Sequence, residues 1–225
     1  MAVTTINVTN QSYTTVKDEN TALTQRNVLK FTGAGVTAAD SGGETVVTIP
    51  GAAATTNIGL FAQTANSTAI TGTTAETTLI NGGVGTLTVP ANGFNIGDSF
   101  RAVVAGVLSA ANNQTIRIRV KTGSVILLDS GLQPITNITN DVFSLNIDFT
   151  IRALGAAGVA SIVSLGTFHY VKTVNAATQG FAFNVVNSTT FDTTISNTLN
   201  ITVQWGSNNA GNSIYSDIFM LSKTY

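Results

Sequence analysis

Apolar residues in this chain recur with a period of two, over stretches long enough to decide its class. From Val142 to Ala153, the side chains of Phe143, Leu145, Ile147, Phe149 and Ile151 fall on one side. Ser144, Asn146, Asp148, Thr150 and Arg152 fall on the other. Successive side chains of a strand point to opposite faces, whereas a helix repeats every 3.6 residues. Thr115 to Lys121 repeats the pattern, with Ile116, Ile118 and Val120 against Arg117, Arg119 and Lys121. Leu199, Ile201, Val203 and Trp205 form a third such face. No stretch carries the spacing of an amphipathic helix. The chain is therefore predicted to be all-β and antiparallel.

Turn-forming residues punctuate these runs: Asn81-Gly82-Gly83, Ala91-Asn92-Gly93, Ala111-Asn112-Asn113, Lys121-Thr122-Gly123, Gly155 to Gly158, and Gly206 to Asn212. Roughly eight to ten strands are expected from about Thr56 to Tyr225, the size of a β-sandwich or barrel. The last strand is expected to run to Tyr225.

Some runs are apolar on both faces: Phe100 to Leu108, Ser161 to Val171, and Asp217 to Ser222. Such a strand needs two covers. In a sandwich the opposite sheet is one. A neighbouring copy of the chain is the simplest second. Charge offers little alternative protection: Asp, Glu, Lys and Arg make up 9% of the 225 residues, against a usual share of about 25%. Thr and Asn take over the polar positions, with 37 Thr and 22 Asn. Thr-rich strands with few charges are prone to edge-to-edge association.

A net charge of -1 gives no basic footprint for nucleic acid. No apolar run reaches the ~18 residues of a membrane span, so no membrane insertion is expected. The first ten residues lack the basic and apolar regions of a secretion signal. There is no cysteine, so disulfides and thiolate chemistry are excluded.

The first 55 residues differ from the rest. Met1 to Thr24 is rich in Thr and Asn with weak patterning. Asn27 to Gly51 reads as a hairpin, with strands Val28 to Thr32 and Glu44 to Ile49 joined by a Gly-rich turn region. Gly51 to Asn57 is a small-residue linker. The predicted organisation is an N-terminal anchoring and trimerising segment over residues 1–55 and a β domain over 56–225.

The segment Leu29 to Gly51, LKFTGAGVTAADSGGETVVTIPG, resembles a module found near the N-terminal side of phage fibre and virion structural proteins. Thr86 to Gly131, and the final LNITVQWGSNNAGNSIYSDIFMLSKTY with Gln204-Trp205-Gly206 and Tyr225, resemble jelly-roll heads of viral fibre and spike proteins. This resemblance implies an antiparallel jelly-roll β-sandwich of the TNF/C1q-like trimeric kind. It also implies a homotrimer on the virion surface, joined to other virion proteins through residues 1–55 and attached outward to a host surface structure, a glycan being the expected one. A capsid decoration protein that stabilises the shell without a receptor is the alternative. A glycan-degrading depolymerase is a third reading, and it needs two carboxylates about 5–10 Å apart in a groove.

Individual residues point to binding rather than chemistry. Arg117, Arg119 and Lys121 form a basic row, which Arg101 joins if its strand lies nearby. The row is either a contact for an anionic ligand or a solvated strand edge. Arg117→Glu with Arg119→Glu is expected to leave assembly intact, and unchanged host-cell adsorption would exclude the row as the receptor site. Trp205, Phe219 and Tyr225 are candidates for the core or the trimer interface. His169 is the only histidine, too few for a zinc site, and is expected to be structural. Asp98, Asp129, Asp141, Asp148, Asp192 and Asp217 lie outside any calcium-loop pattern, and Asp98, Asp129 and Asp141 read as turn caps. Gly33-Ala34-Gly35 and Gly42-Gly43 lack the helix and Lys of a phosphate loop. No catalytic residue, metal site or cofactor is expected.

Overall fold

The computed structural model describes residues 17–18, 21–22, 37–41, 44–48, 58–172 and 177–225. The chain divides into two units, Met1–Ala54 and Thr55–Tyr225.

In the first unit, Thr37–Ser41 pairs antiparallel with Glu44–Thr48, placing Ser41 opposite Glu44. Lys17–Asp18 pairs with Thr21–Ala22. The hairpin partner of Glu44–Thr48 is therefore not the expected Val28–Thr32, which lies outside the described residues. The stretch TAADS thus pairs directly with ETVVT. The sequence had assigned that stretch to the turn.

The second unit carries nine strands of five residues or more: β1 (Ile58–Gln63), β2 (Ser99–Ala110), β3 (Gln114–Thr122), β4 (Val125–Asp129), β5 (Ile138–Ala153), β6 (Ser161–Val171), β7 (Thr178–Asn187), β8 (Asn197–Trp205) and β9 (Ser213–Lys223). No helix occurs among the described residues. An eight-stranded sheet runs β7-β6-β5-β2-β9-β1 and ends on Gly83–Gly85, with Ile70–Thr71 also on β9. A six-stranded sheet runs β4-β3-β8 and ends on Thr77–Thr78, with Gln133–Ile135 on β3 and Thr88–Val89 on β8. Every pairing is antiparallel. The two sheets pack face to face as a β-sandwich.

The period-two faces form its core. Leu145 and Ile147 on β5 and Val104 on β2 are fully buried, as are Ile116, Ile118 and Val120 on β3 and Ile201 and Val203 on β8. Ile138–Ala153 is longer than the alternation suggested, extending four residues N-terminal to Val142. Two predicted turns depend on asparagine in the left-handed region, with φ of 59° at Asn92 and 57° at Asn113. Asparagine tolerates that conformation better than other non-glycine residues.

The strand β9 ends at Lys223, yet the terminus stays docked. The Thr224 and Tyr225 amides both donate to the Ser99 carbonyl, and the Ser99 amide donates to the Tyr225 carbonyl.

Candidate functional site

The basic row lies where the alternation puts it, on the outer face of β3, but its charges are already matched. β4 folds back on β3 so that Asp129 stands opposite Arg119. Arg117 grips the Asp129 carboxylate with two bonds, Nε to Oδ1 at 2.8 Å and Nη2 to Oδ2 at 2.5 Å. Arg119 Nε reaches Asp129 Oδ2 at 3.2 Å. On the other side, Glu76 receives Arg119 Nη1 at 2.7 Å and Lys121 Nζ at 3.1 Å. The Thr202 hydroxyl on β8 donates to Glu76 Oε1 at 2.7 Å.

These contacts set the protonation of both acids. Burial pushes the Asp129 carboxyl up, but hydrogen bonds from Arg117, the Gly131 amide and Arg119, with the Arg117 charge, hold it at about 2. Burial also opposes ionisation of Glu76, and the Thr202 and Lys121 hydrogen bonds with the nearby cations lower it nonetheless. Arg117 is raised by its hydrogen bonds to Asp129. The row is thus a folded-in ionic network rather than an open basic patch. Charge reversal here would set new carboxylates against Asp129 and Glu76, so Arg117→Glu with Arg119→Glu, expected to leave assembly intact, carries a cost in stability.

Arg101 does not join the row. It sits on β2 in the other sheet, directly opposite Asp148, with Nε 2.8 Å from Oδ1 and both side chains about half exposed. The carboxylates resolve into local roles. Asp98 pairs with Lys223 at 2.6 Å and accepts from the Asn95 amide. Asp192 accepts from the Thr194 amide and hydroxyl. No cluster of three or more metal-binding side chains occurs among the described residues.

The three aromatic candidates separate. Trp205 is fully buried and donates from Nε1 to the Ile70 carbonyl, joining the two sheets. Phe219 is buried against Phe61 at 5.5 Å. Both belong to the core and neither is available to a partner subunit. Tyr225 is 81% exposed. His169 is exposed too, on the face of β6 that points away from the core, opposite Ser144. The alternation of β6 explains this placement: Phe168 and Tyr170 take the inward positions.

The outer face of the large sheet is the surface the strand pattern anticipated. Across β9 and β2, Met220 faces Val103, Ile218 faces Ala105, and Tyr215 faces Val107, which faces Val142 on β5, while the β5 partners of Val103 and Ala105 are the polar Asn146 and Ser144. Ile218 and Met220 are about half exposed and Val142 is 61% exposed. The Arg101–Asp148 pair bounds this apolar area at one end. The Ser109–Asn140 hydrogen bond bounds it at the other. Scattered apolar side chains on a surface are ordinary, but a contiguous set with a polar frame marks a contact surface. Glu76 and this row of outward apolar residues are the features that carry the surface chemistry. Glu76 had no signal in the sequence, because its partners on β3 lie more than forty residues away.

No family model matches the chain, and neither a curated protein nor a solved structure matches it.

Proposed function

We propose that this chain is a virion surface protein whose residues 56–225 form the head of a homotrimer and attach the particle to a glycan on the host surface. The observation that carries the reading is the framed apolar area on the outer face of β9 and β2, which Val142 of β5 extends. Copies of the chain packed around a common axis bury it. Aromatic and aliphatic side chains at the centre with polar groups at the rim is the usual anatomy of a subunit interface.

Strand order supports the jelly-roll form of the sandwich. β1, β9, β2 and β5 lie side by side in one sheet, and Thr77–Thr78, β8, β3 and β4 in the other. The chain changes sheets between β2 and β3, β4 and β5, β7 and β8, and β8 and β9. The β6–β7 hairpin extends the large sheet at one edge. Residues 1–55 join the head to other virion proteins. Threefold symmetry multiplies weak glycan contacts into useful avidity. The matched charges on β3 make that row a poor anion receptor, so the glycan contacts lie elsewhere.

Competition for adsorption tests the attachment role. An excess of purified protein should block particles from host cells, and enzymatic removal of surface glycans should abolish its binding. Particles that carry the chain yet adsorb unchanged in its presence would leave the shell-stabilising role instead.

A further inference from the structure

A cavity of about 230 Å³ lies between the sheets at the end where β2 begins and β9 finishes. Native interiors hold few voids larger than a water molecule, so this one needs an account. Its wall is almost wholly apolar: Phe100, Phe149 and Leu221 from the large sheet, Leu199 from the small one, and Phe94 and Phe191 from the loops. Leu199 is half-buried, while Phe94, Phe100 and Leu221 are buried but keep a trace of exposure.

Thr86, Thr88, Thr122 and Asn197 add neutral polar groups to this lining, and its charged element is one ion pair. Asp98 and Lys223 both face the cavity, paired at 2.6 Å with the Asp98 side chain 8% and the Lys223 side chain 30% exposed. The position of Asp98 is fixed from behind. Its Oδ2 accepts the Asn95 amide at 2.9 Å, and its own amide donates to the Asn95 carbonyl at 3.2 Å. Lys223 is held by strand pairing opposite Phe100. A carboxylate oxygen accepts two hydrogen bonds and an ammonium donates three. The pair therefore has both donor and acceptor capacity beyond these bonds, and no net charge.

We propose that this cavity binds a small apolar molecule bearing one neutral hydroxyl, a medium-chain alcohol or a phenol. The hydroxyl donates to Asp98 and accepts from Lys223, and the apolar body fills the space between the sheets. An ionised head is disfavoured because either sign meets a like charge in the pair. A dry cavity of about 150 Å³ accommodates benzene, so this one has room for a larger body. Burial of 70–90% of a ligand in a mostly apolar pocket with a few placed polar groups is the ordinary form of such a site. The site is independent of the attachment role proposed above.

Calorimetric titration of the full-length protein with 1-octanol and with octanoate tests this. 1-Octanol should bind saturably, at least tenfold more tightly than octanoate. Leu199→Phe, which projects a ring into the space while keeping an apolar side chain, should weaken 1-octanol at least tenfold with an unchanged melting temperature. Lys223→Met leaves the Asp98 carboxylate uncompensated and should widen the preference for the neutral head. Absence of saturable 1-octanol binding, or binding by Leu199→Phe equal to the wild type, would overturn the site. Octanoate binding as tightly as 1-octanol would overturn the hydroxyl assignment.

Discussion

Asp129 is clamped by Arg117 across the β3–β4 hairpin, the guanidinium meeting both carboxylate oxygens at 2.8 and 2.5 Å. A two-pronged contact of this kind is stronger than an ordinary surface ion pair. Its folded carboxyl titrates at about 2, against 3.8 for the free group. A depressed acid stabilises the fold above its unfolded pKa and loses that contribution as pH falls through the folded one. The window is therefore about pH 4 down to about 2. With allowance for solvent screening, the contribution at neutral pH is about 1–2 kcal/mol. Urea unfolding of wild type and Asp129→Asn should show a stability gap that is constant above about pH 5 and closes towards pH 2.

Charge reversal is the harsher test of the same network. Arg117→Glu with Arg119→Glu gathers four carboxylates at Glu76, Asp129 and the two new positions. A loss of about 2–4 kcal/mol is expected at pH 7, from broken pairs and like-charge repulsion together. High salt should recover part of it. A double variant that melts with the wild type would mean that these charges are well solvated.

Gly106 marks the bulge where β2 passes β9. A Cβ there would lie 2.1 Å from the Tyr215 carbonyl oxygen and 2.8 Å from the Ser216 Cα, both backbone atoms. Neither can move without separating the strands. Gly106→Ala should cost about 2–4 kcal/mol. Gly59→Ala is the matched control: a Cβ at that strand position meets nothing within 4 Å, and its melting temperature should barely change.

Ser164 sits on the inner side of β6 with its hydroxyl buried and without a hydrogen-bond partner among the described residues. Its strand neighbours are Phe149 and Val185. Burying an unsatisfied hydroxyl is unfavourable, so Ser164→Ala should stabilise the domain by about 1 kcal/mol, measured by urea denaturation. Destabilisation by that amount would show that the hydroxyl is satisfied in solution.

On the outer face of the large sheet, Val103→Asp with Met220→Asp sets two carboxylates opposite each other in the apolar area. Both side chains point away from the core, so the variant should fold, with the wild-type circular dichroism spectrum. It should fail to assemble. A variant that assembles like the wild type would place the interface elsewhere.

Much of this architecture is written in the alternation of single strands. The inward set on β5, from Phe143 to Ile151, is buried as read, and so are Ile116, Ile118 and Val120. Period two settles which side chains share a face, because it is a local property of extended backbone. It does not settle which sheet a strand enters. Arg101 and Arg117 both alternate with apolar neighbours, yet one faces outward from the large sheet and the other from the small one. Long-range pairing decides that, as it decides that Glu76 meets β3. Tyr225 shows the same limit: its backbone bonds to Ser99 keep the end docked, but its ring lies in the open. Aromatic character alone does not separate a core position from a surface one.

The claim beneath the functional reading is that copies of the chain cover the face formed by Met220, Val103, Ile218 and Val142. Light scattering on the purified protein across roughly 1–100 μM addresses it directly. The account predicts a single species of three times the 23.2 kDa chain mass, unchanged on dilution. A single 23.2 kDa species throughout that range would contradict it.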